Sequence, residues 1–316
     1  MQAYEVLDRT ALGSLVDYCP DVVRVATSFV NAYFVGDRSH WVLVDTGIGG
    51  FGSVIRRAAA ARFGKDARPA AIVLTHGHFD HAGNADALAE AWGIPVYAHM
   101  LELPYLTGQS DYPPQDPTVG GALACMSRVF SHRGRELTAE LRALSGDRIS
   151  EMPGWRWIHT PGHTAGHVSL FREADGVLLA GDAIATMDLD SWIAQVRRTP
   201  EMCNPPIPLT TDWPAARKSV ELVASLEPRA VGAGHGFPIA GEGVPAMVRH
   251  FARTFAPPAH GRYVQAAVVT GTAGVEWVPP AVPDAFGRQA AGAALVLAGA
   301  WGLATLARRS ASARRA

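Results

Sequence analysis

Lysine is nearly missing from this chain. It occurs only at positions 65 and 218, so almost all of the 28 basic residues are arginine, a compositional habit rather than a binding device. Net charge of either sign is also lacking: 28 Lys and Arg against 29 Asp and Glu leave −1 over 316 residues. Without a basic field there is no electrostatic footing for a nucleic acid, and none is expected as a partner. Cysteine is scarce too. Cys19, Cys125 and Cys203 are odd in number, far apart and form no C-x-x-C pair. That argues against a disulfide framework and fits a reducing compartment. Residues 1–20 carry Glu5, Asp8 and Asp17 with no long apolar core. They do not read as a secretory signal, and a cytoplasmic location is expected. What remains is 48% hydrophobic and 18% charged, ample for a buried core and unlike a disordered chain.

What is present is a concentration of metal-capable side chains. His76, His78, Asp80 and His81 fall within the run THGHFDH, residues 75–81. An apolar stretch, Ala71 to Leu74, precedes it and a helix-like stretch, Ala82 to Trp92, follows. A strand feeding a loop feeding a helix is a rigid setting for a site. His76, His78 and Asp80 alternate, so an extended backbone would aim all three to one side, with His81 reaching a neighbouring point. Two adjacent metals are implied. Neutral imidazole and carboxylate suit zinc, iron or manganese.

Short β-favouring runs cover Val22 to Ala26, Ala32 to Val35 and Trp41 to Val44, the last ending in Asp45-Thr46-Gly47. Ser53 to Phe63 reads as a helix closed by Gly64, and Ile94 to Ala98 as a strand. Residues 101–150 differ in character. Pro113, Pro114 and Pro117 break the first part, while Gly121 to Phe130 and Arg135 to Leu144 are helix-compatible. This segment reads as an insertion beside the site and the place to seek substrate-recognition residues. Strands resume at Trp155 to His159, Val168 to Phe171, Val177 to Leu179 and Ala230 to Ala233, with a helix from Pro214 to Leu226. The alternation implies an α/β sandwich of two similar halves.

One loop cannot complete two metal shells. His163, in Thr160-Pro161-Gly162-His163-Thr164, follows a strand; so do Asp182, in Ala180-Gly181-Asp182, and His235, in Gly234-His235-Gly236. Each is a ligand type near a strand's C-terminal end, flanked by glycine that lets backbones come close. Asp45 could hold a ligand histidine or cap the turn beside Gly47. His167 precedes a strand, where a structural hydrogen bond is favoured over a metal contact. Trp155, Trp157, Trp192 and Trp213 are expected in the core rather than in a pocket.

In order, VDTG (44–47), THGHFDH (75–81), PGHTAGH (161–167), AGD (180–182) and GHG (234–236) strongly resemble the motifs of the metallo-β-lactamase-fold hydrolase superfamily. The resemblance covers residues 20 to about 240. It implies an αββα four-layer sandwich with a dinuclear site at one edge. His76, His78 and His163 would hold the first metal, Asp80, His81 and His235 the second, and Asp182 would bridge them. Two cations a few ångströms apart supply hydroxide from a shared water at neutral pH and polarise the scissile group, with Asp80 orienting that hydroxide.

Asp182 stands where members that open β-lactams usually carry cysteine, which is similar to glyoxalase II, lactonases, sulfatases and phosphodiesterases. The segment PGHTAGHVSL resembles that of lactonases and glyoxalase II-like proteins. The expected activity is hydrolysis of a small ester, lactone or thioester by two Zn2+, with iron or manganese as other metals. The alternatives are a mononuclear-iron persulfide dioxygenase and a phosphodiesterase. The hydrolase domain is expected over residues 1–260, an extension over 261–287, and an apolar helix with an arginine-rich tail over 288–316. Ala290 to Ala307 carries no charged residue. As a helix it would span about 27 Å, near the minimum for a bilayer crossing. Membrane contact through 290–307 and docking on the body or a partner chain are both open; the oligomeric state is not readable.

Overall fold

The computed structural model describes residues 5–6, 13–197 and 200–284. Contacts divide the chain into Met1–Pro280 and Ala281–Ala316. The expected C-terminal apolar helix at 288–316 lies outside the described residues. Among the described residues, no helix is long and apolar enough to cross a membrane.

Two sheets carry the fold. The first has seven strands in the order Leu15–Cys19, Val22–Thr27, Val30–Gly36, Trp41–Val44, Ile72–Val73, Val96–Ala98, Leu141–Ala143. It is antiparallel up to Trp41–Val44 and parallel beyond. The second has six strands in the order Glu5–Val6, Ile239–Ala240, Ala230–Ala233, Val177–Gly181, Val168–Arg172, Trp155–His159.

The strand sequences explain how the layers stack. Val22–Thr27, Trp41–Val44 and Val177–Gly181 are buried along their whole length, as strands covered on both faces must be. Their residues divide by period two between separate cores. Tyr33, Val35, Val42, Val44 and Val73 pack against Trp155, Val168, Leu170, Val177 and Leu179 in a core between the sheets. Their neighbours Phe34, Trp41, Leu43 and Ile72 face outward and pack on the helices Gly52–Phe63 and Ala85–Trp92. On the far side Phe171, Leu178 and Val231 pack on Trp213–Ser225 and Val244–Thr254. Helix, sheet, sheet, helix is the αββα arrangement.

Two local expectations change. Residues 135–144 are not helical: Leu141–Ala143 pairs in parallel with Val96–Ala98 as an edge strand, and Val96 N–H donates to Glu140 O at 2.8 Å. Leu137 and Leu141, spaced as on a helix, pack instead on the first sheet's outer core. An open sheet edge offers backbone partners that override weak local propensity. The run 76–81 also does not continue its alternation. His81 and Ala82 both donate backbone N–H to His78 O, at 3.0 and 2.9 Å. That turn sends Asp80 to a different neighbour set from His76 and His78.

Beyond residue 260, Arg262–Gln265 is a short helix and Val269–Gly271 pairs with Gly274–Trp277 as a hairpin. Tyr263 is buried with the helices of the second sheet. Val275 N–H donates to Ser110 Oγ at 3.1 Å, joining the hairpin to the 101–150 segment.

Leu170 is fully buried between the sheets. Leu170→Ala is expected to lower the unfolding free energy by about 3 kcal/mol, measured as a lower urea midpoint at unchanged slope. A loss below about 1 kcal/mol would contradict a close-packed interface there.

Candidate metal centre

The site lies where strand ends of both sheets meet. Asp45 follows Trp41–Val44, the histidine loop follows Ile72–Val73, Asp182 follows Val177–Gly181, and His235 follows Ala230–Ala233. Parallel pairing sets these ends side by side: Val44 opposes Val73, and Gly181 opposes Ala233 across a register shift after Leu179. All seven residues expected as ligands are buried. Their donor atoms fall into three groups, each within 4.8 Å: His76, His78 and His163; His76, His81 and Asp182; Asp80, His81 and His235. Asp182 Oδ2 lies centrally, at 3.4 Å from His163 Nε2, 3.4 Å from His81 Nε2 and 3.3 Å from His235 Nε2. Asp80 Oδ2 is 3.5 Å from His235 Nε2.

Hydrogen bonds fix which ring nitrogen faces the centre. His81 Nδ1–H donates to Asp45 Oδ2 at 2.8 Å. His235 Nδ1–H donates to Phe29 O at 2.9 Å. Thr75 Oγ1–H is committed to Asp45, so its oxygen accepts from His76 Nδ1–H at 3.1 Å. Thr210 Oγ1–H is committed to Pro206 O and likewise accepts from His163 Nδ1–H at 3.3 Å. Four Nε2 lone pairs are thereby turned inward, the arrangement that orients metal-binding histidines. His78 is the exception: its Nδ1 lies 3.0 Å from both His76 Nε2 and His163 Nε2.

These donors fit metal ions. His81 Nε2 and Asp182 Oδ1 are buried with no hydrogen-bond partner, which is costly unless a cation answers them. Burial holds His78 down to about 3 and, aided by neighbouring imidazoles, holds His76 and His163 well below the ordinary histidine range. All three are therefore neutral at pH 7, the form a metal would require. Burial opposes charge on His81 and His235 as well, but Asp182, with Asp45 beside His81 and Asp80 beside His235, outweighs it and raises both. Burial pushes Asp80 up. For Asp182 burial is overcome by His235 and His81, which hold it well below the carboxylate range. The protons drawn to His81 and His235 occupy the lone pairs a metal would take, so binding there releases protons.

Asp45 does more than cap a turn. It accepts from His81, from Thr75 N–H at 2.8 Å and from Thr75 Oγ1 at 2.8 Å, joining two strand ends through one carboxylate. His167 makes structural hydrogen bonds. Its Nε2 accepts from Asp182 N–H at 2.8 Å and its Nδ1 lies 3.1 Å from Thr160 O, which fixes the backbone of Asp182. Gly234 is required by space: a β-carbon there would stand 2.1 Å from Asp182 Oδ1 and 2.6 Å from His81 Cε1. None of the four tryptophans lines the site's cavity; Trp155 and Trp213 are core, and Trp192 is exposed.

Glu102 was not visible among the motifs. Its carboxylate is fully buried and accepts from Gly77 N–H at 2.9 Å, Gly166 N–H at 2.9 Å, Thr164 Oγ1 at 2.7 Å and the Tyr112 hydroxyl. Gly77 sits between His76 and His78, and Thr164 and Gly166 flank the loop of His163. One side chain thus ties together the two loops that carry the first donor group. Tyr112 adds a ring contact to His78 at 4.4 Å between centroids. The available signal was a carboxylate set in the apolar run Leu101 to Leu106, where an acid must find buried partners.

Glu102→Gln turns an amide N–H toward some of those donors. It is expected to weaken metal affinity by about 10- to 100-fold, measured by competition with a chromogenic chelator, with the circular dichroism of the folded chain retained. Parental affinity in the variant would reduce Glu102 to a packing group.

Comparisons with known proteins agree with this geometry. The sequence profile of the "Metallo-beta-lactamase superfamily" matches residues 25–235. The "Probable metallo-hydrolase YflN" of Bacillus subtilis is 36% identical over 244 residues, covering 76% of this chain and 92% of that protein. A second B. subtilis protein, "Probable metallo-hydrolase YybB", is 33% identical over 161 residues, 51% of this chain and 64% of the relative. A beta-lactamase domain protein from Burkholderia ambifaria superposes with a TM-score of 0.53 at 22% identity, over 78% of this chain and 77% of that one, a likeness of fold. With the profile spanning more than half the chain and a relative matched over nearly its full length, the protein belongs to the metallo-beta-lactamase superfamily, as one of its metallo-hydrolases.

Proposed function

We propose that the chain is a dinuclear zinc hydrolase acting on an ester, lactone or thioester. The observation that carries this is the position of Asp182 Oδ2, within 3.4 Å of His163 on one side and of His81 and His235 on the other. A carboxylate so placed is the donor that two ions would share, and three further side chains per ion would leave room for a water.

His76, His78 and His163 would hold one ion, Asp80, His81 and His235 the other, and Asp182 both. When bound, two such ions lower the pKa of a water and polarise a carbonyl. The remaining work falls to the protein. Asp80 lines the cavity, where its carboxylate accepts a hydrogen bond from the attacking water and aims its oxygen at the acyl carbon. Asp45 and His167 keep His81 and Asp182 in place through the bonds described above. In the net reaction water adds across the acyl C–O or C–S bond, giving a carboxylic acid and an alcohol or thiol, and the acid loses its proton at neutral pH.

A persulfide dioxygenase would use a single iron, and metal content separates the two readings. Asp182→Asn is expected to lower both metal content and turnover by about tenfold or more, measured by elemental analysis and hydrolysis of a chromogenic lactone or thioester. Full activity with two metals in that variant would remove Asp182 from the shared position. One iron per chain, with oxygen uptake on a persulfide, would replace the hydrolase with the dioxygenase.

A further inference from the structure

The donors open on one side into a cavity of about 600 Å3, large enough for a drug-sized molecule. Asp80, Asp182, His78, His163 and His235 occupy its reactive end. Away from them the wall is mostly apolar, with Ser28, Asn31 and Gln195 as its uncharged polar side chains. Phe79 and Phe130 meet at 5.3 Å between ring centroids, and Leu123, Met126, Met187 and Leu209 extend the apolar surface. Leu123 and Leu209 belong to a small buried cluster, against which Met126, Phe130 and Met187 pack half-buried. Among the described lining residues, Arg24 is the one cationic side chain apart from the histidines. It is 4% exposed, donates from Nε to Asn31 Oδ1 at 2.6 Å, and sits over the Phe237 ring at 5.6 Å. That cation is buried and already paired with Asn31 and the Phe237 ring.

We propose that this wall is a binding site for an uncharged apolar arm, so that the substrate is an ester, lactone or thioester bearing an alkyl or aryl group of medium length. The inference rests on the hydrolase reading above and adds the substrate class. An alkyl arm gains from leaving water for this surface, about fourfold in binding for each methylene. A charged arm would lose its hydration against a mostly apolar wall whose one cation besides the histidines is already paired. The two methionines adapt their shape to arms of different length. The helix Ala122–Ser127 and the residues up to Phe130, within the segment expected to hold recognition residues, supply Leu123, Met126 and Phe130.

The test is a series of γ-lactones on the metal-loaded protein, from the unsubstituted ring to one bearing a butyl group. The expected rise in kcat/KM is about 250-fold across the series. A butyl arm ending in carboxylate should fall to the level of the bare ring. Met126→Gln combined with Phe130→Gln should flatten the series, with metal content retained as the sign of an intact fold. Calorimetric binding of acetate, butyrate, hexanoate and octanoate reads the same wall without turnover, and affinity should climb with length. Hydrolysis with a flat series would overturn the apolar arm and leave the hydrolase standing. No hydrolysis of any lactone, ester or thioester would remove the hydrolase and the assigned substrate class with it. Carboxylate affinity independent of length would overturn the binding site whatever the enzyme hydrolyses.

Discussion

Buried lone pairs pointed at one another are unfavourable, and this protein assembles them deliberately. His76 Nε2, His78 Nδ1 and His163 Nε2 stand about a hydrogen bond apart, while Asp182 faces three imidazole nitrogens. A site of this kind cannot hold itself together. It must be clamped from outside by interactions that do not depend on its contents, and bound metal ions would turn the crowding into coordination.

The clamps are hydrogen-bonded and mostly buried. Asp45, Thr75, Thr210 and the Phe29 carbonyl each secure one Nδ1–H, so that the opposite nitrogen faces inward. Glu102 joins the loop of His76 and His78 to that of His163, and His167 fixes the backbone of Asp182. Behind them, the packed core between the sheets brings strand ends from both halves to one edge. Local strain is visible at this edge: Asp45 has φ 55°, and a β-bulge lies between Leu179 and Gly181. Non-glycine residues held at positive φ persist where the surroundings over-determine them, as the three hydrogen bonds to Asp45 do here.

Much of this was legible in the sequence. The strands Trp41–Val44 and Val177–Gly181 are unbroken apolar runs, and Val22–Thr27 is one but for Arg24 and Thr27, because they are covered on both faces. The helices Gly52–Phe63 and Trp213–Ser225 are bounded by Gly64 and by Pro214. All the residues singled out as metal ligands converge, because histidine and aspartate next to glycine at strand ends are rare without a reason. Residues 135–144 misled, because apolar spacing suited a helix while the edge of a sheet offered better backbone partners. Glu102 was missed because its role depends on four donors from three separate segments, a relation that no local pattern contains.

Residue type and local order alone therefore set which groups carry the chemistry and which stretches are strand or helix, since both follow from side-chain chemistry and short-range periodicity. Only the folded chain decided the rest: which nitrogen of each imidazole faces the centre, that Glu102 ties the loop of His76 and His78 to that of His163, and that the cavity wall is mostly apolar. Each of these depends on distances between residues far apart in the chain. Such distances are fixed by packing two sheets against each other, and no single stretch of sequence determines that packing.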